Sequence, residues 1–253
     1  MIYDLQKANI WKRISAYLCD MILLGIAVVG MAFLLSAVLG YDTYTERMDA
    51  SYADYEARFG VSFDIGAEEF EALSESEQAL YNEAYAAISA DEEFYKNYSV
   101  AISLTVIILT FSTLLAYLLL EFLVPLLLKN GQTLGKRVFG IGVMRTDGVK
   151  LTAPFLFIRS ILGKYTVETM VPVMIVVMIM IGALGIFGTV ILAALTVAQF
   201  ALLFGTQTRA QIHDKLAGTV VIDMASQMIF DSPEALMAYK NKLHAEKAEK
   251  SSY

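Results

Sequence analysis

Three long apolar stretches limit what this chain can become: residues 14–39, 99–128 and 169–204. The hydrocarbon layer of a bilayer is about 30 Å thick, and about 20 helical residues cross it. In lipid every backbone N–H and C=O must be satisfied within the segment, so each stretch predicts helix. Composition agrees, with 57% hydrophobic and 18% charged residues against about a quarter charged in soluble domains. The first stretch is about twice the length of a signal-peptide core and holds Asp20, so it reads as a retained helix. Residues 169–204 are too long for one ordinary span. They predict two short ones, 169–184 and 187–204, turning near Gly182, Gly185 and Gly188, with a re-entrant pair as the alternative.

Charge is segregated between these runs. Residues 41–98 hold 15 of the 26 acidic residues and eight of the 14 tyrosines, against Arg47, Arg58 and Lys96. The N-terminal segment, the loop at 129–168 and the tail after 205 are basic. Positive residues stay on the cytoplasmic side, so both termini are expected there and the acidic segment outside. Loop and tail on one side require an even number of crossings between them. The predicted fold is therefore all-α, with four transmembrane helices and an extracytoplasmic acidic helical insertion. A membrane domain spans 8–223, the insertion 41–98, and a cytoplasmic tail with an amphipathic helix 224–253.

Local signals fill in the rest. Ser74 and Glu77 form a capping box ahead of QALYNEAYAAISA, whose Tyr81, Tyr85 and Ile88 mark a packing face. The Asp147-Gly148 pair inside VMRTDGVKLT predicts a short cytoplasmic β-hairpin. LTAPFLFIRSILGKY, residues 151–165, reads as an interfacial helix with Arg159 and Lys164 on its polar side. Pro233 after Ser232 opens a tail helix with Leu236, Tyr239 and Leu243 along one side, suited to a membrane surface or a loosely ordered tail.

Charges inside the apolar runs are the candidate functional residues. Arg13, Tyr17 and Asp20 share one helix face, and a carboxylate inside a membrane helix is a functional-site hypothesis by default. Glu121 lies seven residues before the end of the second run, so both carboxylates sit about 10 Å below the cytoplasmic edge. At one depth they are placed to share a proton or a cation. The bland alternative locks Asp20 to Arg13 or Arg159 and lets Glu121 snorkel to the interface. Arg209 and Asp214 lie where the last span re-emerges, and Arg209 and His213 are i, i+4 if that turn is helical. His213 and His244 with the single buried Cys19 make no metal site, and GQTLGK lacks the glycine spacing and Ser/Thr of a phosphate loop. No nucleophile–base pattern, dinucleotide fingerprint or nucleic-acid signature occurs, so no enzymatic activity, cofactor or nucleic-acid partner is expected.

Several of these pieces go together. Arg13 at the mouth of helix 1, Asp20 seven residues on, GQTLGKRVFGIGVMRTDGVKLT after helix 2, Arg159, and a closing RAQIHDKLAGTVVI resemble the RDD family of bacterial membrane proteins. The resemblance covers residues 8–39 and 99–223 and leaves out the acidic segment. It places the family's one arginine and two aspartates at Arg13, Asp20 and Asp214. It implies a multi-pass cell-membrane protein for which transport is proposed, some members being linked to sodium/proton exchange. The preferred expectation is a small, homo-oligomeric antiporter of a monovalent cation and protons in a lipid bilayer. There Asp20 binds cation or proton in turn, Arg13 tunes it, and Asp214 gates by pairing with Arg209 or Arg13. The alternative is a non-transporting scaffold whose acidic segment binds a protein partner; an enzyme acting on lipid head groups ranks third.

Overall fold

The structure, a computed structural model, describes residues 6–251. The first five residues of the basic N-terminal segment, and Ser252 and Tyr253 of the tail, lie outside it. Among the described residues, four helices are long and apolar enough to cross a membrane: Ile10–Leu39, Glu92–Leu128, Ala153–Met180 and Gly185–Gly205. They are α1, α5, α7 and α8 here. The last two are separate helices joined by a turn in which Gly182 takes φ 75°. That is the glycine turn expected between 169–184 and 187–204.

The third span differs from expectation. Residues 151–165 do not form a separate interfacial helix; α7 runs unbroken from Ala153 into the apolar stretch. Its part Ile158–Met170 is wound as a π-helix. Thr166 Oγ1 donates to Ile161 O and Thr169 Oγ1 to Lys164 O, each five residues back. Residues five apart therefore stack, which sets Arg159, Lys164 and Thr169 along one face. In an ordinary α-helix they would diverge by about 140° per step. A second π segment, Leu118–Leu123, carries Glu121 in α5.

The chain divides into two compact units, residues 28–113 and the remainder. In the first, α2 (Tyr41–Phe59), α3 (Ala67–Ala72) and α4 (Glu75–Ser89) fill the acidic segment. Gly40 at φ 67° separates α1 from α2. Ser74 caps α4 through the expected box with Glu77. The core is aromatic, with Tyr52 edge-on to Phe94 at 5.1 Å and Tyr81 edge-on to Phe70 at 5.1 Å. Tyr81 and Ile88 pack as expected, whereas Tyr85 is 57% exposed. Helix α5 already begins at Glu92, so the acidic segment passes into the second span without a break.

The second unit contains a small sheet. Strand β1 (Ile141–Arg145) pairs antiparallel with β2 (Thr219–Asp223), Ile141 opposite Asp223. The Asp-Gly turn forms, with Gly148 N donating to Arg145 O. However, β1's partner comes from 74 residues further along the chain rather than from 149–152, so the expected hairpin is a long-range pair. The N-terminal segment flanks the other edge of β2, with Asp223 N donating to Gln6 O. Ile141, Val143, Val220 and Ile222 are buried on the two faces. Two short helices complete this unit: α6 (Leu134–Val138) and α9 (Ile212–Ala217). The tail helix α10 (Pro233–Ser251) starts where expected, Ser232 Oγ accepting from Ala235 N. Its Leu236 is buried within the protein and Tyr239 rests on Phe230 at 5.3 Å, so this end packs on its own chain rather than on a membrane surface.

Candidate functional site

Two charge centres meet in the second unit. The first is built on Asp214 in α9. Gln211 N donates to Asp214 Oδ2, the carboxylate serving as the third residue of a capping box. Arg159 Nη1 donates to Asp214 Oδ1 and, at 2.6 Å, to Thr219 Oγ1. Thr219 Oγ1 donates to the same Asp214 oxygen. Arg13 Nη2 stands 3.7 Å from Asp214 Oδ2, while its Nη1 donates to the Arg209 carbonyl at 2.7 Å. Burial opposes the Asp214 charge, but Arg159, His213 and Arg13 outweigh it and hold the carboxyl well below its usual range. Next along α9, His213 sits against Glu168 of α7. Its backbone N–H donates to Oε1 and its Nδ1 lies 2.8 Å from Oε2. Burial pulls the His213 imidazole below the usual histidine value. Gly163 permits this approach, because a Cβ there would stand 2.5 Å from the His213 Cβ.

The second centre is built on Asp20. Gly135 N donates to Asp20 Oδ1 at 2.8 Å, and Thr133 Oγ1 donates to Oδ2. The carboxylate thus lies at the start of α6, inside the GQTLGK block. Lys136 stands 3.9 Å from Asp20 and donates to Thr133 Oγ1 at 3.1 Å. Beside it, Lys164 Nζ bonds Glu121 Oε2 at 2.5 Å.

These contacts revise the expected pairings. Asp20 is locked to the Thr133–Lys136 turn, not to Arg13 or Arg159. Arg13 serves Asp214, which keeps the expected Arg13 contact but takes Arg159 as its main partner. Arg209 supplies a carbonyl, and no ion pair of its side chain occurs among the described residues. It is not i, i+4 with His213 on a helix, because Arg209 has φ 49° and α9 begins at Ile212. Glu121 does not snorkel; it is buried against Lys164.

Four partners were not anticipated as site residues: Thr133, Lys136, Lys164 and Glu168. The lysines read as topology signals in a basic loop. Thr133 and Lys136 did carry a signal, since they belong to the GQTLGK block that the resemblance singles out. Lys164 was read as a polar-side residue of an interfacial helix rather than as a partner of Glu121, and Glu168 carried no signal.

Burial and the neighbouring Lys164 push the Lys136 ammonium down from 10.5 to about 8. Below pH 8 folded and unfolded chains both carry this proton, and the cost of burying it is complete. Between pH 8 and 10.5 the folded chain sheds it while the unfolded chain keeps it, so stability climbs across that window. Thermal unfolding in detergent is expected to rise from pH 7.5 to 9.5, and the rise should be absent in Lys136→Met.

Two cavities open among these groups. One of about 280 Å³ is lined by the cations Arg13, Lys136, Arg159 and Lys164 and by the apolar Phe200, Leu203 and Phe204, among others. The second, about 90 Å³, is lined by Asp20, Glu121, Glu168, Lys164, Tyr117 and Thr169 among others. Fold and site together define a multi-pass helical membrane protein with a buried network of paired charges shared between its spans and the short helices α6 and α9. The RDD family model matches residues 7–218, and the chain belongs to the RDD family. Comparison with curated proteins and with solved structures returned no match.

Proposed function

We propose that this protein is a small transporter of the cell membrane, exchanging a monovalent cation for protons, with both termini cytoplasmic. The supporting observation is the 90 Å³ cavity, because three carboxylates, Asp20, Glu121 and Glu168, line it together with hydroxyls of Tyr117 and Thr169. Such oxygen donors suit hard cations. Lys164 already places an ammonium on Glu121 at 2.5 Å. An entering cation takes that ammonium's place on Glu121, and Lys164 gives up one proton, so the buried charge stays constant. Asp20, pinned at α6, keeps the second carboxylate facing the cavity. Arg13, Arg159 and Asp214 tie α1, α7 and α9 together around it. Four spans make a thin wall for a pathway, so the working unit in this reading is a homo-oligomer. No enzymatic step and no cofactor belongs to it.

The test is purified protein in sealed vesicles loaded with a pH-sensitive dye. Sodium, potassium or lithium is expected to drive proton movement in the native chain. Asp20→Asn and Glu121→Gln should reduce it to the rate of empty vesicles. Unchanged exchange in both variants would sink the assignment of the site. No exchange with any cation in folded native protein would sink the function. It would then favour a membrane scaffold, for which the exposed Tyr85, Tyr95 and Tyr98 of the acidic unit offer a protein-binding face.

A further inference from the structure

The larger cavity shares Asp20 and Lys164 with the exchange site but is lined differently, by cations and by apolar side chains. It gathers Arg13, Lys136, Arg159 and Lys164 against one carboxylate, Asp20. That carboxylate already accepts from Gly135 N and Thr133 Oγ1 at α6. Two of the four cations keep donors to spare. Arg13 has five N–H groups, and its described contacts are one hydrogen bond, to the Arg209 carbonyl, and a carboxylate at 3.7 Å. Lys136 has three, and its described contacts are one hydrogen bond, to Thr133, and a carboxylate at 3.9 Å. Each of the four cations already faces a carboxylate, so what the cavity offers an incoming anion is these unused N–H donors.

Much of the remaining lining is apolar and exposed. Ile10 and Ile14 of α1 and Phe200, Leu203 and Phe204 of α8 belong to it. Phe200 and Phe204 are 57% and 70% exposed, on helices apolar enough to lie in hydrocarbon. A cavity that is cationic within and opens on a lipid-facing wall matches a molecule with an anionic head and a hydrocarbon body. Its volume, about 280 Å³, holds a head group and leaves the acyl chains outside along α1 and α8.

We propose that this cavity binds the head group of an anionic phospholipid, its phosphate taken by Arg13 and Lys136 and its chains lying against Phe200 and Phe204. Arginine meets the phosphate with a planar fork and lysine as a point charge. The site stands independently of the exchange reading, because lipid can be counted without measuring transport.

Native mass spectrometry of detergent-purified protein tests it. The protein is mixed with equal amounts of phosphatidylglycerol and phosphatidylcholine, with and without inorganic phosphate. One phosphatidylglycerol is expected to be retained in about tenfold preference, because both lipids bring the phosphate but phosphatidylcholine adds a quaternary ammonium that the cationic lining repels. Lys136→Met should abolish the preference. Leu203→Trp, which fills the apolar part and removes no charge, should abolish retention of either lipid. Lys12→Gln, at an exposed ion pair outside the cavity, should retain the preference. Equal retention of both lipids in the native chain would overturn the proposal. So would loss of the preference in Lys12→Gln, or displacement of the lipid by equimolar inorganic phosphate.

Discussion

Asp214→Asn is expected to be the most damaging single substitution in this protein. The native carboxylate is 1% exposed and answers both Arg159 and Arg13. Asparagine keeps the shape and removes the charge, leaving two buried guanidinium groups facing a neutral amide. Removing one partner of a buried ion pair costs about 3–5 kcal/mol, because the remaining charge stays desolvated. That is a large share of the stability of most domains. Thermal unfolding in detergent should show the loss directly, or the protein should fail to accumulate in membranes. Asp214→Leu combined with Arg159→Met tests the cause. It removes both charges of the closest pair, so the double variant should be more stable than the sum of its single variants predicts. Additive losses would show that the two residues do not act as a pair.

The second large effect is expected at Gly135. A Cβ added there meets the Ala16 carbonyl oxygen of α1, and lies 2.8 Å from Asp20 Oδ1 and 2.9 Å from its Cγ. A helix carbonyl cannot swing away, so α6 must back off from α1. Overpacking of this kind costs about 1–3 kcal/mol. The displacement also stretches the bond from Gly135 N to Asp20 Oδ1, which is 2.8 Å in the native structure. Gly135→Ala should therefore lower both the unfolding temperature and cation-driven proton movement. Gly25→Ala, in α1 with nothing within 4 Å of the added methyl, is the control. It should be neutral or stabilising by about 0.5–1 kcal/mol, as alanine favours helix over glycine. Equal losses at both positions would refute the close contact at Gly135 as the cause.

Acidification should act on the centre around Asp214 as well. His213 and Asp214 both have their proton affinity lowered by folding. Both therefore favour the native state at neutral pH. The His213 contribution falls away as pH drops below the usual histidine value, and that of Asp214 as pH drops below the usual carboxylate value.

The amino-acid order alone determined the membrane architecture. Runs such as 99–128 cannot be hidden in water, and helix is the one local structure that satisfies their backbones in lipid. Gly182 marked the turn between the last two spans, Ser74 and Glu77 the start of α4, and Ser232 and Pro233 the start of the tail helix. These are local effects, set within a few residues by conformational preference and capping. Asp20 was also legible, because charge inside an apolar run is unfavourable enough to demand a reason, while Arg13 at the mouth of that run and Asp214 beyond the last one stood out through the family resemblance.

What the order of residues did not reveal was which charge meets which. The π winding of α7 brings Arg159 and Lys164 to one face, whereas at 3.6 residues per turn they lie about 140° apart. The pairing of β1 with β2 joins segments 74 residues apart, and no local turn encodes it. Asp20 meets α6 because Gly135 lets two backbones touch, a fact of packing rather than of spacing. The sequence named the charges, and only the tertiary structure decided their partners. Electrostatic pairing in a low-dielectric interior depends on ångström-scale separation, which close packing sets.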